Sequence, residues 1–129
     1  MIVLYTDSEC TEELTDNSIQ TIHNGFLGEA DFFTIYLKND NNAESFSNVK
    51  VEIEIAPELI GWSSKVFLGN EGLSEEEWSE AEEDVIIDSI SDTNTVYSIQ
   101  CRIYCPAGED SRVIKGDKVF IKVTGVQND

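Results

Sequence analysis

The sequence predicts an all-β protein, an antiparallel sandwich or barrel of about 7–9 short strands. Three observations carry this expectation. Apolar residues recur with period two in four separate runs, the signature of strands with one buried face. Turn-forming residues separate these runs at intervals of about ten residues, and no long stretch shows the 3.6-residue spacing of an amphipathic helix. At 129 residues the chain is one domain, residues 1–129. A chain of that length buries roughly two-thirds of its unfolded surface, enough for a single core.

The elements follow in order. MIVLYTDSEC opens apolar without the basic flank of a signal peptide, and is expected to be a first strand (Ile2–Tyr5) or a docking arm over residues 1–16. Weak strand signals also cover 18–23, 63–68 and 84–90. In DFFTIYLK (31–38), Phe33, Ile35 and Leu37 face inward, leaving Phe32 and Tyr36 outside. NDNN (39–42) is a turn, because asparagine tolerates positive φ. NVKVEIEI (48–55) puts Val49, Val51, Ile53 and Ile55 on one face and Lys50, Glu52 and Glu54 on the other. SIQCRIYC (98–105) sends Ile99, Cys101, Ile103 and Cys105 one way, and a Pro106-Ala107-Gly108 turn ends it. Lys115-Gly116-Asp117 then leads into KVFIKVT (118–124), whose inward set is Val119, Ile121 and Val123.

NEGLSEEEWSEAEEDV (70–85) holds eight acids and no base. It reads as an acidic loop over 70–84 with a short helix from Glu75, since Ser74 and Glu77 have capping-box spacing. So short a helix needs tertiary support, expected from Trp78 and Ala81 docking on the sheet. The acids cluster instead of alternating around a glycine, so no calcium loop is expected there.

Twenty-six acids against eight bases give a net charge of −18. That field argues against nucleic acid and against anionic membrane surfaces, and favours solubility at high local concentration. No motif of nucleophilic, phosphate-binding or zinc chemistry is present, so no enzyme activity, catalytic residue, metal or cofactor is expected. The single histidine, His23, reads as a turn-edge residue. Cys101 and Cys105 lie about 13 Å apart along a strand, too far for a mutual disulfide; Cys10 is within possible reach of either, and free thiols are the expectation. Candidate interface residues are the aromatics Phe32, Tyr36, Trp62 and Trp78. Five of the eight bases lie between Arg102 and Lys122, a basic end able to meet the acidic end of a second copy or a larger assembly.

The layout IYLKNDNNAESFSNVKVEIEI, then KVFLGNEG, VYSIQCRIYCPAGED and GDKVFIKVTG, resembles a group of small tailed-phage virion structural proteins over roughly Gly28 to Gly125. The resemblance implies an immunoglobulin-like β-sandwich of the decoration or accessory type. It implies other virion proteins as partners (the major capsid protein, or neck and tail proteins) or a homo-oligomer, and residence in a virion assembled in the host cytoplasm. It brings no catalytic residues. Secreted accessory modules beside glycosidases and adhesins share the NV-x-V strand and Gly61-Trp62, which keeps open the alternative of a carbohydrate- or host-surface-binding module.

Overall fold

The computed structural model describes residues 1–14, 21–23, 30–57, 59–69, 72–104, 112–114 and 119–128. They form β1 (Ile2–Tyr5), β2 (Thr21–His23), β3 (Ala30–Asn39), β4 (Ser45–Ile55), β5 (Ser63–Leu68), α1 (Glu75–Glu80), β6 (Asp84–Ile90), β7 (Tyr97–Tyr104), β8 (Arg112–Ile114) and β9 (Val119–Asn128). The chain is all-β, as expected, and each pairing is antiparallel. One sheet has the order β1-β3-β7-β5, a second β6-β4-β9, and β2 pairs with β8 in a two-stranded ribbon.

Alternation put the core where the sequence places it. Ile35 and Leu37 of β3, Val49, Val51 and Ile53 of β4, Ile99, Cys101 and Ile103 of β7, and Val119 and Ile121 of β9 all belong to one buried cluster. Members of that cluster come from both larger sheets, so the two share a core. Lys50 and Glu52 point outward from β4, with Lys50 Nζ 3.5 Å from Glu52 and 3.7 Å from Asp84. Exposed pairs of this kind contribute little to stability.

From β3 to β7 each successive strand belongs to the other sheet, so every connection between them is an arch rather than a hairpin. The first arch, residues 40–44, is stapled by Asn39, which is completely buried. Its Nδ2 donates to the Glu44 carbonyl at 2.9 Å, and its Oδ1 accepts from the Asn41 amide at 3.2 Å. The last arch, between β6 and β7, turns on Asp92, whose Oδ1 accepts from the amides of Asn94 (2.9 Å) and Thr95 (2.8 Å). These side chains replace the backbone partners that an arch leaves open.

β4 begins at Ser45, before the 48–55 run expected for it, because it contains an irregularity that interrupts period two. Its register against β9 shifts between Ser47 and Lys50, and Asn48 there has φ +51°. Asparagine is among the few residues that occupy this region cheaply. Phe46 and Val49 thus both reach the core. Across from them β6 breaks alternation at the same level, its inward set being Val85, Ile87 and Ile90.

Of the two expectations for the N-terminus, a first strand or a docking arm, Ile2–Tyr5 forms the strand. Ile2–Tyr5 pair with 36–39 of β3, Leu4 is in the core, and the chain returns so that the Leu14 amide donates to the Leu4 carbonyl at 2.9 Å. Asp7 closes the intervening loop, accepting from Thr11 Oγ1, from the Thr11 amide and from the Glu12 amide. An apolar strand edge gains more by completing its own sheet than by remaining free. Residues 15 and 16, the expected strand segment 18–20, and the turns at 106–108 and 115–117 lie outside the described residues.

The side chains that close these connections can be tested in two ways. Replacing Asn39 with Ala removes the partners of the Glu44 carbonyl and the Asn41 amide and empties a fully buried site, and lowers unfolding free energy by about 2 kcal/mol in denaturant titration. Hydrogen bonds hold Asp7 (chiefly from the Thr11 hydroxyl) and Asp92 (chiefly from the Thr95 amide) below the ordinary carboxylate pKa. A depressed carboxylate stabilises the fold above its unfolded pKa of about 3.9 and loses that contribution as pH falls through its folded value. Carboxyl-detected NMR titration is therefore expected to show both protonating below the ordinary aspartate value of about 3.9.

Candidate functional site

The site is built on the outer face of the four-stranded sheet. On β7, burial of Ile99, Cys101 and Ile103 forces Gln100, Arg102 and Tyr104 to the opposite side. Register then sets the neighbours: Arg102 lies directly opposite Phe32 of β3 on one side and Lys65 of β5 on the other. Gln100 is tied down beside them, accepting from Thr34 Oγ1 at 2.8 Å and donating through Nε2 to the Gly69 carbonyl at 3.0 Å.

The acidic stretch supplies the border. Ser74 caps α1 as its spacing predicts: Ser74 Oγ accepts from the Glu77 amide at 3.2 Å, and Glu77 Oε1 accepts from the Ser74 amide at 3.2 Å. Glu75, Glu76 and Glu77 occupy the first turn, where the helix dipole favours them. Trp78 and Ala81 are buried, as expected of the residues that dock the helix. The Trp78 ring packs on Phe32 with centroids 5.6 Å apart and planes tilted by 57°. Lys65 Nζ donates to the Ser79 carbonyl at 3.3 Å, and the Val66 amide donates to the Glu82 carbonyl at 2.9 Å. The helix is thus pinned to β3 by an aromatic contact and to β5 by the Lys65 bond, and the segment that follows it is held to β5 by the Val66 bond.

Beside it lies a shallow depression of about 160 Å³ lined by Ser63, Ser64, Lys65, Arg102 and Tyr104. The Arg102 guanidinium carbon sits 5.9 Å from the Phe32 ring centroid and 6.0 Å from that of Tyr104. Contacts of this length to ring faces hold a guanidinium in place without neutralising it. Its Nε is buried with no acceptor among the described residues. Among those residues, neither Arg102 nor Lys65 has a carboxylate within ion-pair distance.

The four aromatic candidates divide. Phe32 is outward, 55% exposed, and Tyr36 is half-buried on the same face of β3, opposite Tyr5. Trp62 and Trp78 are not exposed anchors. Trp62 retains only 9% exposure because a turn through Gly61 (φ +83°) folds it into the core, its amide donating to the Leu59 carbonyl. Trp78, at 7%, is consumed in holding α1. Of the basic end, Arg102 stands on one sheet and Lys122 on the other, 4.0 Å from Glu52, while Lys115 and Lys118 lie outside the described residues. Lys65, Tyr104 and the two serines are not among the sequence-predicted site residues, and Arg102 enters there only as the edge of the basic end. Their outward positions were readable from alternation, but not which strands stand side by side.

Cys10 and Cys101 are free thiols, and burial pushes the Cys101 thiol pKa far upward. Cys105 lies outside the described residues. Among those residues, no group of three or more His, Cys, Asp or Glu side chains is placed to hold a metal ion, and no helix is long and apolar enough to cross a membrane. No protein-family model, curated protein or solved structure matches the chain.

Trp78→Ala removes the side chain that docks α1, at a cost of roughly 2 kcal/mol to that segment. The expected outcome is faster proteolysis within 72–83 at an unchanged global melting transition; protection equal to the parent protein counts against the docking role.

Proposed function

We propose that the protein is a non-enzymatic structural component of a tailed-phage virion, in first place a capsid decoration or cement protein and otherwise a neck, tail or baseplate accessory. One observation carries the contact part of this reading. The outer face of the four-stranded sheet displays exposed Phe32 beside Arg102 and Lys65, on a chain of net charge −18. Aromatic and arginine side chains side by side on a rigid sheet are the residue types that anchor protein interfaces. The virion setting is supported by the sequence layout, and the acidity suits a surface turned away from packaged DNA.

An immunoglobulin-like sandwich is proposed with it. Two antiparallel sheets around one core support that architecture. The strand order differs from the seven-strand immunoglobulin scheme, since that scheme keeps some consecutive strands within one sheet. The likeness proposed is of layers, not of connectivity. The alternative of a carbohydrate- or host-surface-binding module loses its tryptophan platform, as both indoles are buried.

Co-sedimentation with purified capsids, and separately with tails, of tailed phages tests the reading. The expected result is saturable binding to one particle class that Phe32→Ser weakens by about tenfold. A protein that ignores every particle and binds a glycan array contradicts it.

A further inference from the structure

We infer that the Arg102–Lys65 depression receives a single carboxylate, presented by an acidic side chain on an otherwise basic patch of a partner protein. The inference deepens the structural-contact reading above and rests on it for the protein nature of the partner. It starts from an imbalance. Acids outnumber bases 26 to 8, so a cation on this chain has carboxylates in abundance; Lys50 and Lys122 are paired, whereas Lys38, on another part of the sheet, has no ion pair among the described residues. Arg102 and Lys65 face each other across adjacent strands without one among the described residues.

The local architecture explains what the pair is suited to hold. Phe32 and Tyr104 flank the guanidinium at 5.9 and 6.0 Å, restricting its motion. Its Nε–H is buried and lacks an acceptor among the described residues, a state that native interiors rarely leave unanswered. A carboxylate is the ligand that matches the planar fork of a guanidinium with two parallel hydrogen bonds. Lys65 adds a second charge, and Ser63, Ser64 and Tyr104 add hydroxyls around a space of about 160 Å³. At about 30 Å³ per water, that is room for a side-chain terminus in place of a few waters.

The surroundings select the rest of the partner. α1 is tethered to Lys65 through the Ser79 carbonyl and carries exposed Glu75, Glu76, Glu77 and Glu80. A polyanion, such as an acidic polysaccharide, would meet those glutamates and the −18 field. A lone acid among lysines or arginines satisfies both the depression and those glutamates.

Two blocked pentapeptides test this with the protein alone: acetyl-Lys-Ser-Asp-Ser-Lys-amide and its counterpart with Asn for Asp, titrated at low salt and followed by backbone amide NMR. Long-range attraction favours the Asn peptide, which has the higher positive charge. Preference for the Asp peptide can therefore come only from a local carboxylate site. The expected result is about tenfold tighter binding of the Asp peptide, with shifts centred on 63–65 and 102–104. Arg102→Gln abolishes that preference, and Arg102→Lys, which keeps charge but loses the fork, reduces it. Should Arg102→Gln fail to fold, Arg102→Lys and Lys65→Gln decide the matter by the same reduction. Equal affinity for both peptides, or shifts centred elsewhere, overturns the inference. Glucuronate binding at the depression while the Asp peptide does not bind also overturns it, and transfers the site to sugar acids. Failure of capsid and tail co-sedimentation with the Asp preference intact removes the virion setting and leaves the carboxylate site standing.

Discussion

β7 lies inside the four-stranded sheet, paired with β3 on one side and β5 on the other, and its side-chain parity governs both faces of that sheet. Ile99, Cys101 and Ile103 are completely buried on its inner side. A slip of one residue would carry them to the surface and drive Arg102 into an apolar core, where an unpaired charge costs several kcal/mol. Gln100 reinforces the same parity from outside through its bonds to Thr34 and Gly69. The core therefore determines which side chains face outward: once the isoleucines are inside, Arg102 must stand on the outer face, and the registers of β3 and β5 set it between Phe32 and Lys65.

The acidic stretch depends on that face in turn. A six-residue helix does not persist on its own capping box, and its C-terminal half carries Glu80 where the dipole disfavours it. Burial of Trp78 against Phe32 supplies the missing stabilisation. The glutamate-bearing helix is thereby tied to Lys65 of β5 through the Ser79 carbonyl, without an ion pair between its acids and Lys65 or Arg102 among the described residues. The face carries both signs, a pattern that selects partners more by orientation than by net charge.

How much of this was legible in the sequence follows from which interactions are local. Period two is a property of each strand alone, so the inward sets of β3, β4, β7 and β9 could be read directly. The capping box is equally local. Register between strands is not: Lys65 and Arg102 are 37 positions apart, and only the common alignment of β5 and β7 joins them. Trp62 sits in a connection without periodicity, so nothing nearby marked it as buried, whereas Trp78 was marked only through the short capped helix that it docks. The Asn48 irregularity hid the start of β4, since a residue at positive φ breaks the pattern on which the reading relied. β8, three residues long, had too few positions to show alternation.

The parity of β7 can be measured through its own thiol. With Cys10 and Cys105 replaced by serine, Cys101 is the sole thiol of the chain. Its alkylation rate in the native protein tests the arrangement directly. The account predicts no labelling in buffer and prompt labelling once denaturant unfolds the sheet, because the thiol is fully buried with its pKa pushed up. Labelling in buffer at the rate of an exposed cysteine would place Cys101 outside. Arg102, Phe32 and Lys65 would then not share a face, and the proposed contact site would have no basis.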